Sequence, residues 1–251
     1  MAAIGGVDPG GGAGVVRDAL TAAALGASAH VVGTAWTEQG DAVHRVEPRE
    51  PGSLAAAVRQ AVARGVQAVK IGMVPNGLSV AAILDGLSNY GGPLVIDPVL
   101  ASSRGRVLFA GTPADILPLL RRGTLVTPNA PEAAVLSGLP VADARGAEVA
   151  AVNLREAGVS AVLVKGGHLG SEEEPLIDVL VTEAGVRRFA HPRVRGRVPR
   201  GTGCALATAI AVALARKAAL EDAIEAAIDW LAAAIESAVE VGGGERHLGP
   251  G

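Results

Sequence analysis

Residues 161–168 read Ala161-Val162-Leu163-Val164-Lys165-Gly166-Gly167-His168. Four apolar residues in succession, with no polar alternation, suit a strand covered on both faces. Such a strand belongs in a parallel sheet flanked by helices. Polarity returns only where the strand would end, as a lysine and two glycines. The pattern recurs along the chain. Further short apolar runs lie at 2–6, 29–34, 67–71, 93–97 and 124–126. Ala/Leu-rich segments with helical spacing separate them, at 13–25, 52–64, 78–89, 113–121, 131–137 and 143–157. Strands alternating with helices make βαβ units and a mostly parallel sheet, an α/β fold. A hairpin is expected at 177–182 and 186–190, turning at Glu183-Ala184-Gly185. Two helices close the chain. The first follows the apolar run 205–215, and in the second Ile224, Ile228, Leu231 and Ile235 share one face. The stretches 35–51 and 171–175 are expected to be irregular, and the tail from Gly242 a mobile flap or closing loop. With no repeat and no long linker, residues 1–251 are expected to form a single domain.

Composition removes several classes of function. Net charge is −3 and aromatics make up 2% of the chain. Neither the basic balance nor the stacking residues of a nucleic-acid binder are present. Cys204 is the only cysteine, which excludes an intramolecular disulfide and fits a reducing compartment. The apolar run 205–215 is too short to span a bilayer, and residues 1–6 are too short and Gly-broken for a signal peptide. The expectation is a cytoplasmic protein without membrane or nucleic-acid partners. Three lysines stand against nineteen arginines, and Lys70 and Lys165 both end apolar runs. A compact ammonium at a strand end suits a tight phosphate or ring pocket, or else snorkels to water.

In an open α/β sheet, ligands sit beyond the C-terminal ends of the strands. The polar motifs collect at those ends. Gly5-Gly6-Val7-Asp8-Pro9-Gly10-Gly11-Gly12-Ala13-Gly14 holds six glycines but matches neither the dinucleotide fingerprint nor the P-loop, which disfavours a Rossmann dehydrogenase. Lys70-Ile71-Gly72-Met73, Asp97-Pro98-Val99, Thr127-Pro128-Asn129-Ala130-Pro131-Glu132 and Lys165-Gly166-Gly167-His168 follow later strands. Arg200-Gly201-Thr202-Gly203-Cys204 opens a helix. Its glycines let successive N–H groups face one space, where the helix dipole adds to them, making an anion socket. A thiol at such a position tends toward a lowered pKa. Each motif also has a plainer reading. Gly201–Cys204 can be an N-cap with a buried cysteine, Asn129 with Glu132 a capping box, Asp97 a strand cap, and His168 a loop histidine.

Taken together, these motifs resemble the hydroxymethylpyrimidine and phosphomethylpyrimidine kinases of thiamine biosynthesis, in the ribokinase-like superfamily. The resemblance runs from Ile4 to Pro250. It implies a three-layer α/β/α sandwich with a mostly parallel central sheet, ATP and Mg²⁺ as cofactors, a pyrimidine acceptor and a homodimer. It also implies roles for matching residues. Gly6, Ala13, Asp18, Met73 and Val99 would surround the pyrimidine, with Asp18 hydrogen-bonding its polar edge. Asn129 and Glu132 would help hold Mg²⁺ and the triphosphate, partly through water, with Asp97 beside them, and Lys165 would meet the phosphates. Gly201, Thr202 and Gly203 would give N–H groups to the transferring phosphoryl, and Cys204 would sit beside the acceptor oxygen. That last position is usually an aspartate base in the wider superfamily.

Two stretches depart from the family pattern. Where the family commonly has Ala-Gln-Asn-Thr, with the Gln on the pyrimidine, this chain has Thr34-Ala35-Trp36-Thr37-Glu38-Gln39-Gly40. Glu38 or Gln39 from a shifted loop would then take the glutamine's place, and Trp36 would either stack on a ring or pack. Arg200 stands where the family usually has His, within reach of a γ-phosphate or an acceptor phosphate. The alternatives are a pyridoxine or pyridoxal kinase of the same superfamily and a non-catalytic pyrimidine-binding sensor.

Overall fold

The computed structural model describes residues 1–39, 43–102, 105–169, 175–194, 198–241, 245–249 and 251. In chain order the elements are β1 (Ala2–Val7), α1 (Gly14–Ala24), β2 (His30–Gln39), β3 (Val43–Pro48), α2 (Pro51–Val62), β4 (Val69–Ile71), α3 (Gly77–Gly86), β5 (Leu94–Ile96), α4 (Pro113–Leu120), β6 (Leu125–Val126), α5 (Ala130–Ser137), α6 (Ala144–Glu156), β7 (Val162–Val164), β8 (Leu176–Thr182), β9 (Gly185–His191), α7 (Thr202–Ala215), α8 (Leu220–Glu236), β10 (Val239–Val241) and β11 (Glu245–His247).

Nine strands form one sheet in the order β3-β2-β1-β4-β5-β6-β7-β8-β9. The six from β2 to β7 run parallel, while β3, β8 and β9 pair antiparallel to their neighbours. The continuous apolar runs are explained by the two faces they feed. Val69, Ile71, Leu94, Ile96, Val126, Val162 and Val164 face a core shared with α2 to α6. The intervening residues Ala68, Val95, Leu125 and Leu163 face a second core shared with α1, α7 and α8. Side chains alternate across a strand, so a strand with a core on either side has no polar position to spare. Helices on both faces make the expected three layers. The order of strands reverses at β1, which places a switch-point crevice between the C-terminal ends of β1 and β4.

Two short hairpins were not anticipated. The stretch 35–51 holds the end of β2 and all of β3, an edge strand paired from Ala35↔Pro48 to Gln39↔Val43. Its residues follow neither an apolar run nor a strict alternation, so it depends on β2. The tail holds β10 and β11, paired Val239↔His247. Its described residues are pinned: the Gly249 N–H donates to the Ala234 carbonyl at 3.0 Å, and Leu248 is buried against Ala205 and Ala234. The expected irregular segment 171–175 lies outside the described residues except for Pro175. Of the arginines between 187 and 200, Arg187 pairs with Glu221 and Glu225 and Arg188 with Glu148, a solvated strand edge. No helix among the described residues is long and apolar enough to cross a membrane.

Candidate active site

The end of β1 is organised by Asp8. Its carboxylate accepts from the Gly10 and Ala13 N–H groups, each at 3.0 Å, and so folds the glycine-rich loop back over itself. Gly14 closes the loop at φ +61°, where a Cβ would collide with the Gly6 carbonyl. Only glycine meets both conditions. Gly6 itself faces Met73, whose Sδ would lie 2.9 Å from a Cβ added there. The Thr34 hydroxyl donates to the Met73 carbonyl and that of Thr37 to the Val7 carbonyl, both at 2.8 Å. Gly6, Ala13 and Met73 thus gather at the ends of β1 and β4. Val99, half-buried, lies two residues past Asp97 at the neighbouring end of β5.

Against this loop stands the start of α7. Gly201 has φ +78°, and a Cβ there would strike the Gly12 carbonyl and lie 3.3 Å from the Ala13 Cα. Loop and helix start are therefore in van der Waals contact. No side chain caps α7, so its first-turn N–H groups are left for a ligand. A Cβ on Gly203 would be 3.2 Å from the Lys165 Nζ and 3.8 Å from the Asp97 Oδ2. Lys165 in turn donates to the Asp97 Oδ1 at 2.6 Å. An ammonium, a helix N-terminus and two glycines thus converge on one small space, whose chemistry favours a phosphate.

Two buried ion pairs flank Cys204. Desolvation would lower the Lys165 ammonium, but Asp97 and Glu132 outweigh it and hold the ammonium above its ordinary value. The second pair lies deeper. Lys70 donates to both oxygens of Asp18 at 2.8 Å, and Thr208 adds a third hydrogen bond at 2.9 Å. Burial would discharge Lys70, yet the Asp18 charge keeps its pKa raised. Asp18 has the opposite balance, with desolvation raising it against Lys70 and Thr208. Both side chains are fully out of water. Breaking such a pair by removing one partner leaves an uncompensated buried charge.

The remaining acid is Glu132. With Asn129 it forms a capping box on α5: Asn129 Oδ1 accepts from the Glu132 N–H at 2.9 Å, and Glu132 Oε2 accepts from the Asn129 N–H at 2.8 Å. Desolvation pushes the Glu132 carboxyl up to about 7, partly offset by Lys165 and reinforced by the charge of Asp97. Asp97 stays below its ordinary value because Lys165 and Lys70 overcome its desolvation. Among the described residues no cluster of three or more His, Cys, Asp or Glu could hold a metal. Asp97 beside the Gly203 turn, with Glu132 electrostatically linked to it and to Lys165, nevertheless fits Mg²⁺, which keeps several waters and takes the rest of its shell from phosphates. Asn129 Oδ1 is already engaged by its cap, which favours contact through water.

Several expectations change. Asp18 offers no edge to a pyrimidine, because Lys70 and Thr208 hold its oxygens and the residue is buried. Lys70 neither lines a phosphate pocket nor snorkels; it closes that ion pair. The Cys204 thiol does not fall but is pushed up to about 11, because burial and the charges of Asp97 and Asp18 outweigh Lys70 and the hydrogen bond from the Gly14 N–H. The Arg200 guanidinium lies 3.5 Å from Asp8, tying the helix start to the glycine-rich loop. Asp97 does not end as a simple strand cap, since Lys165 occupies it. The side chain of His168 lies outside the described residues. Two residues escaped the reading. Asp8 was signalled by an Asp-x-Gly turn, and Thr208 by being the one hydroxyl within the apolar run 205–215.

The family model described as Phosphomethylpyrimidine kinase matches residues 8–249. The hydroxymethylpyrimidine/phosphomethylpyrimidine kinase of Rhizobium meliloti is 38% identical over 249 residues, 96% of this chain and 92% of the relative. The crystal structure of a phosphomethylpyrimidine kinase from Clostridium difficile superposes with a TM-score of 0.77 at 28% identity, covering 92% of this chain and 96% of that one. The pyridoxal kinase of Staphylococcus aureus in complex with pyridoxal reaches a TM-score of 0.88 at 23% identity, covering 100% and 92%, a likeness of fold alone.

Proposed function

The chain belongs to the phosphomethylpyrimidine kinase family, and we propose that it transfers the γ-phosphoryl group of ATP to 4-amino-5-hydroxymethyl-2-methylpyrimidine and then to the resulting monophosphate. The product is the pyrimidine diphosphate consumed in thiamine diphosphate synthesis. The observation that carries this reading is the uncapped start of α7, set against Lys165 on one side and the Gly6–Met73 crevice on the other.

The roles follow from that arrangement. The ring lies in the crevice bounded by Gly6, Ala13, Met73 and Val99. Gly201, Thr202 and Gly203 present N–H groups to the equatorial oxygens of the moving phosphoryl, and Lys165 neutralises charge on the phosphates. Phosphoryl transfer passes through a loose transition state, so this positioning and charge stabilisation matter more than strong base catalysis. Asp97 and Glu132, with Asn129 through water, would hold Mg²⁺, which when bound neutralises the triphosphate. Asp18 acts from below, fixing Lys70, α1 and α7 to one another. We place the enzyme in the cytoplasm as a homodimer in one domain, which sedimentation would check for the dimer.

A thiol near 11 is protonated at neutral pH, so Cys204 is no preformed thiolate. It serves as a hydrogen-bonding partner that orients the acceptor oxygen, and takes the acceptor's proton only in the small fraction of molecules that carry it as thiolate. A hydroxymethyl acceptor must lose its proton, whereas a phosphate acceptor arrives already ionised, its second pKa being about 6. Steady-state ADP release with hydroxymethylpyrimidine, its monophosphate and pyridoxine tests the assignment. The expected result is turnover of both pyrimidines, with Cys204→Ala reducing the alcohol reaction more than the phosphate reaction. Turnover of pyridoxine alone would overturn the acceptor, and equal losses on both pyrimidines would overturn the role given to Cys204.

A further inference from the structure

Asp178 on β8 is 4% exposed, yet it pairs with neither Lys70 nor Lys165. Val164 stands opposite Val179, so Asp178 lies one step past the last pair of the β7–β8 ladder, level with Lys165. Leu180, two residues on along an unbroken ladder, packs in the core shared with α7. Residues two apart on a strand share a face, so Asp178 stands on the α7 side as well. Its Oδ1 accepts from the Gly166 N–H at 2.6 Å, and its Oδ2 lies 3.4 Å from the His191 Nε2. A buried acid needs such partners, and a carboxylate accepts more strongly than a carbonyl.

That one hydrogen bond falls at a telling place. β7 ends at Val164, and Gly166–His168 form a single 3₁₀ turn. The Lys165 N–H donates to the Pro128 carbonyl at 2.9 Å. The peptide before Lys165 is thus held by Pro128 and the peptide after it by Asp178. Gly166 makes the second contact possible, since a Cβ there would lie 2.2 Å from the Ile177 carbonyl oxygen. The turn therefore lies flush on β8. Its far end is held too, where Arg193 donates to the Leu169 carbonyl at 3.1 Å. With both flanking peptides fixed, the Lys165 stem leaves the backbone in one direction, toward Asp97 and the Gly203 turn.

We infer that Asp178 is a positioning residue for phosphoryl transfer: it holds the Lys165–Gly166 peptide and so aims the Lys165 ammonium at the phosphates of ATP. The inference rests on the phosphate role proposed above for Lys165.

Kinetics and binding test it together. Asp178→Ala is expected to lower kcat/KM for ATP about thirtyfold, and Asp178→Asn, which keeps an oxygen for the Gly166 N–H, about threefold, with the KM for hydroxymethylpyrimidine changed by less than about twofold in both. Affinity for the β,γ-methylene analogue of ATP with Mg²⁺, titrated calorimetrically, is expected to fall in the same order. This titration uses no acceptor, so its outcome is independent of which ring is phosphorylated. In a Lys165→Met background, Asp178→Ala is expected to weaken that binding no further, since a residue that acts through Lys165 has nothing left to aim. An additive loss there would overturn the inference, as would an Asn variant that falls as far as the Ala variant. Urea denaturation checks that each variant is folded. If Asp178→Ala is not, Asp178→Val, which suits a strand, takes its place. Wild type failing to bind the analogue would overturn the phosphate site and this inference with it. Wild type binding it, with Asp178→Ala within about twofold, would overturn the inference alone.

Discussion

Removing the charge of Glu132 is expected to change how stability depends on pH. Its carboxyl rises from an ordinary 4.5 to about 7 in the folded protein, chiefly through desolvation. Between those values the folded state holds a proton that the unfolded chain has released. The linkage sign follows: this group destabilises the fold progressively as pH climbs from 4.5 to about 7, and its effect is constant above and below. At about 1.4 kcal/mol per unit, the window is worth about 3 kcal/mol. Glu132 is only 6% exposed, so solvent screening takes little from that figure. Glu132→Gln keeps an oxygen to accept the Asn129 N–H and cannot ionise. Urea denaturation of both proteins from pH 4.5 to 8 reads the difference. Wild type should lose about 3 kcal/mol relative to the variant on going from pH 4.5 to 7, and the two curves should then run parallel. Curves parallel throughout would refute the claim that Glu132 is a desolvated acid in the resting fold.

Two further outcomes follow from the same site. Gly201→Ala should leave the circular dichroism spectrum intact but reduce ADP production about a hundredfold, because the Gly12 carbonyl must move and the first turn of α7 with it. Lys70→Met should cost about 3–5 kcal/mol in urea denaturation by stranding the Asp18 charge, and Lys70→Met with Asp18→Leu should recover much of that loss.

The sheet was legible because its strands are fed from two cores, which leaves a continuous apolar run at Val162–Val164 and at Leu94–Ile96 that no half-wet strand would show. The edge strand β3 was not, because Val43–Pro48 has neither an apolar run nor a strict alternation and is held by its partner alone. Within the site, glycines were informative for a reason that survives inspection: at Gly14 and Gly201 the backbone conformation and a facing carbonyl both forbid a side chain. Charged residues were harder to place. Lys70 and Lys165 end similar runs, yet one is entombed with Asp18 and the other borders the anion space. What separates them is the partner each meets, Asp18 from α1 or Asp97 from β5, and tertiary contacts of that kind leave no mark in local sequence. Cys204 was misjudged likewise, since a helix start alone favours a thiolate and only the packing reveals the two carboxylates beneath it.

The contact between Gly12 and Gly201, and the Thr208–Asp18 hydrogen bond across 190 residues, bear on how the enzyme comes into being. The phosphate-facing turn is supplied by the last fifth of the chain and completed by a loop made at the outset. During synthesis the glycine-rich loop, α1 and Lys70 must wait, with the Asp18 carboxylate lacking its hydroxyl partner, until α7 emerges. Nascent chains ending before residue 201 would therefore lack the proposed phosphate-binding turn. If that turn holds the nucleotide as proposed, ATP would favour only chains that already include α7 and would give no help to earlier intermediates.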